Sequence, residues 1–220
     1  HVLLHQTING NEAILQMEQA GDYPDIIVGC TGGGSNLAGL MFPFLGQQLR
    51  GGQKIDIIGC EPLSCPSFTK GKYAYDHGDM ARMTPLIKMH TLGSDFLPPA
   101  NHSGGLRYHG MSYHLSHLYD LGLMRAKAYG QKECFEAGVI FGKQEGIIPA
   151  PEGNHAVKGA IDAALECKEK GESKTILFNL CGHGHFDMTA YDDYFSGKLA
   201  DDFYDEISAN KSLSQLPEIA

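Results

Sequence analysis

Three consecutive glycines, Gly32, Gly33 and Gly34, followed by Ser35 and Asn36, stand between an apolar run, Asp25–Cys30 (DIIVGC), and a helical pattern running from near Asn36 to about Arg50. A short apolar run after Pro24 and closed by glycines has the form of a strand buried on both faces of a parallel sheet. Lys54–Cys60 (KIDIIGC) repeats that form. Strand, tight turn, helix and second strand make a βαβ unit, which commits the chain to helices packed over a parallel sheet. The turn has chemistry of its own: glycines allow backbone N–H groups to point inward around an anion, and the helix N-terminus adds its positive end. Ser35 and Asn36 add side-chain donors. No Gly-Lys-Ser/Thr follows and the spacing is not G-x-G-x-x-G, so neither the Walker loop nor the dinucleotide fingerprint applies. A phosphate cup and a plain Gly-rich turn both fit these residues.

The remaining chain reads as helix Asn11–Ala20, helix Ser112–Leu121 and strand Arg125–Tyr129. Helix Gln131–Lys143, a helix from about Asn154 to Lys170, strand Thr175–Leu180 and a weakly helical acidic tail after Ser196 follow. Residues 62–111 lose periodicity and are expected to be an irregular loop or lid with short helices, since connections of that length are usually functional. With 220 residues, 42% hydrophobic and 20% charged, one domain over 1–220 can bury its own core. A net charge of −9 with only four arginines leaves no basic stripe for nucleic acid. No run approaches the roughly 20 apolar residues of a membrane span. Six cysteines without a C-x-x-C pair read as free thiols in a reducing, cytoplasmic setting. His1 opens the chain with no signal-peptide pattern after it, and a piece of something longer is expected.

Two further runs could carry chemistry. Cys181-Gly-His-Gly-His-Phe-Asp187 follows a strand and contains H-x-H-x-D, which could hold zinc and activate water for hydrolysis. Met188 stands where a further histidine would help, and no histidine follows His185, so no metal is expected. Gly146-Ile-Ile-Pro-Ala-Pro-Glu-Gly-Asn-His-Ala156 places Glu152 at the mouth of a helix, where it either serves the helix dipole or meets a ligand.

In this order the motifs resemble the β chain of tryptophan synthase and its relatives among fold-type II pyridoxal-phosphate enzymes. The residues concerned are Gly32-Gly-Gly-Ser-Asn36, Glu61-Pro62, Ser103-Gly-Gly-Leu106, Glu145-Gly-Ile-Ile-Pro-Ala150 with Glu152 and His155-Ala156, and Asn179-Leu180 before Cys181-Gly-x-Gly184. Leu106-Arg-Tyr-His-Gly110 and His183-Gly-His-Phe-Asp187 look like the second type of β chain, not the form that partners an α subunit.

The resemblance implies a three-layer αβα domain with a mainly parallel sheet, equivalent to the C-terminal, cofactor-holding part of an enzyme about twice as long. It implies pyridoxal 5′-phosphate as cofactor, held at its phosphate by Gly32, Gly33, Gly34, Ser35 and Asn36. Cys181 and Gly182 fall where the family has a small hydroxyl residue and its neighbour facing the pyridine nitrogen, and Glu152 falls beside the ring. The implied reaction is β-replacement, in which a serine-type substrate loses its leaving group and indole adds. The lysine that bonds to the cofactor lies in the family's N-terminal half, and no lysine here has a matching context, so this chain alone is expected to be inactive. The missing half and a second copy, as a homodimer, are the implied partners. Arg107 replaces an acidic residue that meets the substrate hydroxyl, which points to an anionic leaving group or to an ion pair with Glu145 or Asp187. Another fold-type II lyase of the threonine or cysteine type, or a non-catalytic phosphate-ligand domain, would share the same cup.

Overall fold

The computed structural model describes residues 1–201 and 203–218. Its central sheet has four strands in the order β5-β2-β1-β6, with β1 Ile26–Cys30, β2 Asp56–Pro62, β5 Arg125–Tyr129 and β6 Ile176–Phe178. Every pairing in it is parallel, with Ile26 opposite both Asp56 and Ile176, and Ile58 opposite Arg125. Alternation of side chains along the strands gives the sheet two apolar faces. Ile27 and Ile57 face one way, into a core with Leu37, Met41 and Phe44 of α2 (Ser35–Leu49), Ala13 of α1 (Val2–Ala20) and Leu115 of α3 (Tyr113–Asp120). Ile26, Val28, Ile58 and Cys60 face the other way, against Cys134 of α4 (Gln131–Glu145) and Ala163 and Cys167 of α5 (Pro151–Lys170). The three-layer αβα arrangement with a parallel sheet that the resemblance implies is the one observed.

Four elements differ from the sequence expectation. Helix α1 begins at Val2 instead of Asn11, because Gly10 interrupts the pattern yet is the point where α2 crosses. A Cβ on Gly10 would lie 2.4 Å from the Leu40 carbonyl oxygen, and one on Gly39 would lie 2.5 Å from that of Gln6. Residues 62–111 hold a two-stranded antiparallel sheet, β3 Lys72–His77 with β4 Leu86–Thr91, and a single 3-10 turn at Gly104–Leu106. Helix α5 starts at Pro151, a residue suited to a first helical position because its missing N–H is not needed there. Helix α6 (Met188–Phe195) was not anticipated, while α7 (Glu206–Leu213) lies in the tail read as weakly helical. Among the described residues no helix is long and apolar enough to cross a membrane.

Candidate functional site

The carboxyl ends of β1 and β6 and the N-termini of α2 and α5 meet around a cleft of about 250 Å³. Its lining is Cys30, the run Gly32 to Asn36, Gly105, Leu106, Glu152 and Cys181. Ligand clefts at the carboxyl ends of parallel strands are the rule for open α/β sheets.

One end of the cleft is the glycine run. The first backbone bond of α2 is from Ala38 N–H to the Gly34 carbonyl, and the N–H groups of residues 32–36 have no acceptor among the described residues. Gly34 has φ +91°, left-handed backbone that a side chain would strain, and a Cβ there would lie 2.2 Å from Leu115 Cδ1. Gly32 is squeezed from another side: a Cβ would lie 2.5 Å from the Gly105 carbonyl oxygen and 2.9 Å from Leu106 Cα. The Gly33 carbonyl accepts from Ser112 N–H at 3.0 Å, which ties the turn to the segment before α3. Asn36 is set by Asn179 Nδ2, which donates to its Oδ1 at 2.7 Å.

The other end carries the titratable groups. Glu152, in the first turn of α5, accepts from Gly105 N–H through Oε1 at 2.8 Å, so the 3-10 turn is strapped to the mouth of that helix. Cys181 Sγ lies 3.3 Å from Cys30 Sγ. Either sulfur can donate in this bond; once Cys181 is ionised the Cys30 S–H stabilises it, which holds the Cys181 thiol below its ordinary pKa, and the same bond together with burial pushes Cys30 well above its own. Gly182 is beside the cleft, not on its wall; its carbonyl accepts from Ala150 N–H at 2.9 Å and so braces Cys181 against the start of α5. His155 is fully buried, with Nδ1 3.0 Å from the Pro151 carbonyl, and burial lowers its pKa to about 4, so it is a neutral donor within the helix.

Sequence reasoning found eight residues now seen around the cleft: Gly32, Gly33, Gly34, Ser35, Asn36, Glu152 and Cys181 on its wall, and Gly182 behind it. It missed Cys30 as a partner of Cys181, because only the strand pairing brings positions 151 residues apart together. Arg107 is not on the wall. Its Nη2 donates to the Pro98 carbonyl at 2.6 Å, and neither Glu145 nor Asp187 pairs with it among the described residues, so the ion pair weighed above is not made. His183 and His185 face one another with ring centroids 4.8 Å apart, and His183 Nδ1 accepts from His185 N–H. Among the described residues no three His, Cys, Asp or Glu side chains converge as a metal would require.

A phosphorylated pyridine ring suits these residues. Unpartnered N–H groups at a helix N-terminus are donors that an anion satisfies, and the glycines keep that space free of Cβ atoms. A thiol and a carboxylate at the far end are the kind of polar groups that orient a heteroaromatic ring.

The family model described as "Pyridoxal-phosphate dependent enzyme" matches residues 5–182. The tryptophan synthase β chain 2 of Methanosarcina mazei is 58% identical over 90% of this chain, a stretch that is 45% of that protein. That of Aquifex aeolicus is 58% identical over 91% of this chain and 47% of its own length. The tryptophan synthase β chain of Pyrococcus horikoshii is 51% identical over 99% of this chain and 47% of its own length. The chain thus spans about half the length of the curated relatives it matches. A fungal L-serine ammonia-lyase from Rhizomucor miehei superposes with a TM-score of 0.59 over 87% of this chain and 56% of its own, at 15% identity, and so shares the fold.

Proposed function

The chain belongs to the pyridoxal-phosphate-dependent enzyme family, and on that premise we propose that it is the cofactor-holding part of an enzyme joining a serine-type amino acid to indole to give tryptophan. The observation that carries this reading is the run of unpartnered N–H groups at residues 32–36, facing a cleft whose far end holds Cys181 and Glu152. When bound, the cofactor supplies an electron sink for the amino-acid carbon skeleton. Holding and orienting it at the phosphate and ring falls to this chain's own residues. Gly32 to Asn36 bind the phosphate through backbone donors, and the Asn179 bond fixes the Asn36 side chain by its Oδ1. Cys181 would meet the ring nitrogen; either sulfur of the pair can donate, and when Cys30 does so the Cys181 Sγ–H is free to point into the cleft. A thiol carries no formal charge when protonated and is a weak donor, so it leaves the ring nitrogen neutral, unlike an aspartate. Glu152, fixed by Gly105 N–H, would border the ring.

No lysine is among the described residues on the cleft wall. The lysine that anchors the cofactor therefore belongs, in this reading, to the part of the enzyme that the longer relatives possess, and a homodimer in the cytoplasm is the assembly proposed. Absorbance-monitored titration with pyridoxal phosphate and with pyridoxal, and borohydride reduction, on this polypeptide test the assignment together. Pyridoxal phosphate should bind at least about tenfold more tightly than pyridoxal, since charge-assisted hydrogen bonds are worth about 1.5–3 kcal/mol each. Reduction should label no lysine stoichiometrically. Equal binding of the two compounds, or one lysine labelled in full, would overturn it.

Arg107 follows the 3-10 turn that lines the cleft, and we propose that its guanidinium selects a substrate whose leaving group is anionic, such as a phosphorylated serine, exchanging the Pro98 carbonyl for that group. A guanidinium fork suits phosphate and cannot accept a hydrogen bond from a serine hydroxyl. In the full-length enzyme, Arg107→Asp should lower the ratio of kcat/KM for O-phosphoserine over serine by about tenfold or more. An unchanged ratio would confine Arg107 to holding the loop through Pro98.

A further inference from the structure

Cys30 ends β1, and Cys181 follows β6. The two strands are parallel neighbours with Val28 opposite Phe178, and the ladder continues past the last paired residue through the bond from Asn179 N–H to the Val28 carbonyl, 3.0 Å. Adjacent strand ends thus hold the two sulfurs 3.3 Å apart. A disulfide needs about 2.05 Å, so closure asks the sulfurs to approach by little more than about 1 Å.

The two thiols are not equivalent. Cys30 is 3% exposed and packs against Leu106 and Ala156, whereas Cys181 is half-buried on the cleft wall. The other four cysteines, Cys60, Cys65, Cys134 and Cys167, are buried. Burial pushes both Cys60 and Cys65 up to about 12, so their thiolates are scarce at neutral pH. Cys181 alone has its thiolate stabilised by a neighbouring S–H. The thiolate is the nucleophile in sulfur oxidation, and a second thiol within reach resolves the product.

We propose that Cys30 and Cys181 are a redox pair that a small peroxide, entering the cleft, converts into a disulfide. Cys181 thiolate attacks one oxygen of the peroxide, the O–O bond breaks, and Cys181 becomes a sulfenic acid while hydroxide leaves. The Cys30 sulfur then attacks the Cys181 sulfur, the S–O bond breaks, and the second oxygen leaves as hydroxide. With the two protons given up by the thiols, hydrogen peroxide is reduced to two waters and the two thiols are oxidised to one disulfide. The consequence for the cleft is local: Cys181 loses the hydrogen it could offer to a ligand. This chemistry depends only on the two sulfurs and holds whatever ligand fills the glycine end.

The test uses this polypeptide with hydrogen peroxide, followed by unfolding in an alkylating reagent and mass analysis. The expected result is a fall from six alkylatable thiols to four, one linked peptide pair containing Cys30 and Cys181, and full recovery on reduction with dithiothreitol. In Cys30→Ser no link should form, and Cys181 should accumulate as a sulfenic acid that dimedone captures. In Cys181→Ser, which serves if the first variant does not fold, Cys30 should keep its thiol through the same treatment. Dimedone capture at Cys181 in the unsubstituted chain with Cys30 still alkylatable, a link through any other cysteine, or six surviving thiols would each overturn the proposal.

Discussion

Gly32→Ala should abolish measurable phosphate uptake at the turn, while Gly33→Ala next to it should change affinity by no more than a few-fold. A Cβ on Gly32 meets backbone on the facing loop, the Gly105 carbonyl at 2.5 Å and Leu106 Cα at 2.9 Å. That loop cannot step aside freely, because Gly105 N–H is held by Glu152. The turn must move instead, and its N–H groups lose their common aim. Losing two hydrogen bonds to a charged group removes about 3–6 kcal/mol, or at least about a hundredfold in affinity. At Gly33 the nearest atom to a Cβ is Tyr108 Cδ1 at 3.7 Å, ordinary contact. Isothermal titration with inorganic phosphate and with pyridoxal phosphate, on variants whose melting is first measured, checks the contrast. Equal losses at both positions would show that the turn's conformation, and not the approach of the facing loop, governs the cup.

Glu61→Ala should be the most destabilising of the single changes considered. Glu61 is wholly buried at the end of β2 and accepts from Phe68 N–H at 2.8 Å, Thr69 N–H at 2.9 Å and Thr69 Oγ1 at 2.6 Å. One carboxylate therefore closes the turn that leads away from the sheet. Removing it strands the buried Phe68 N–H, while the two donors of the exposed Thr69 can turn to water; an unsatisfied buried donor costs about 1–3 kcal/mol, so a loss of about 2 kcal/mol or more is expected in urea unfolding. Burial raises the Glu61 pKa to about 7 against an ordinary 4.5. An acid with a raised folded-state pKa contributes stability that is complete below about 4.5 and is lost as pH climbs through about 7, with a ceiling of about 3 kcal/mol for that shift. Glu61→Gln keeps one acceptor and removes the titration. Its stability should vary less between pH 5 and 8 than that of the unsubstituted chain, and parallel curves for the two would refute the assignment of that dependence to Glu61.

The βαβ unit and its glycine turn were legible because apolar runs bounded by glycine and proline admit few alternatives. Strand β5 was placed at its observed limits, although only Gly130 bounds it and it is not an apolar run. The hairpin β3–β4 was not legible, since its burial inverts the usual code: Asp76 is buried and accepts from Thr91 Oγ1 at 2.7 Å, while Tyr75 is exposed. Alternation counted by hydrophobicity misreads such a strand. The first half of α1 was lost for a different reason, because Gly10 weakens helix propensity locally and is required only by the approach of α2. At the site, the glycines and Glu152 carried a signal in their own neighbourhoods. Cys30 carried none, as its significance lies in which strand happens to be its neighbour.

Strand β6 is at the edge of the sheet, yet it pairs with β1 across about 150 residues of sequence. Long closures are entropically costly and form late, after the local βαβ unit can already exist. Cys181 and the Asn179 amide that turns Asn36 both arrive with that last strand. A nascent chain that has emerged only as far as α4 possesses the glycine turn but neither the sulfur wall nor the oriented asparagine. Tight ligand capture thus marks the docking of β6, and by mass action it then holds that strand in place.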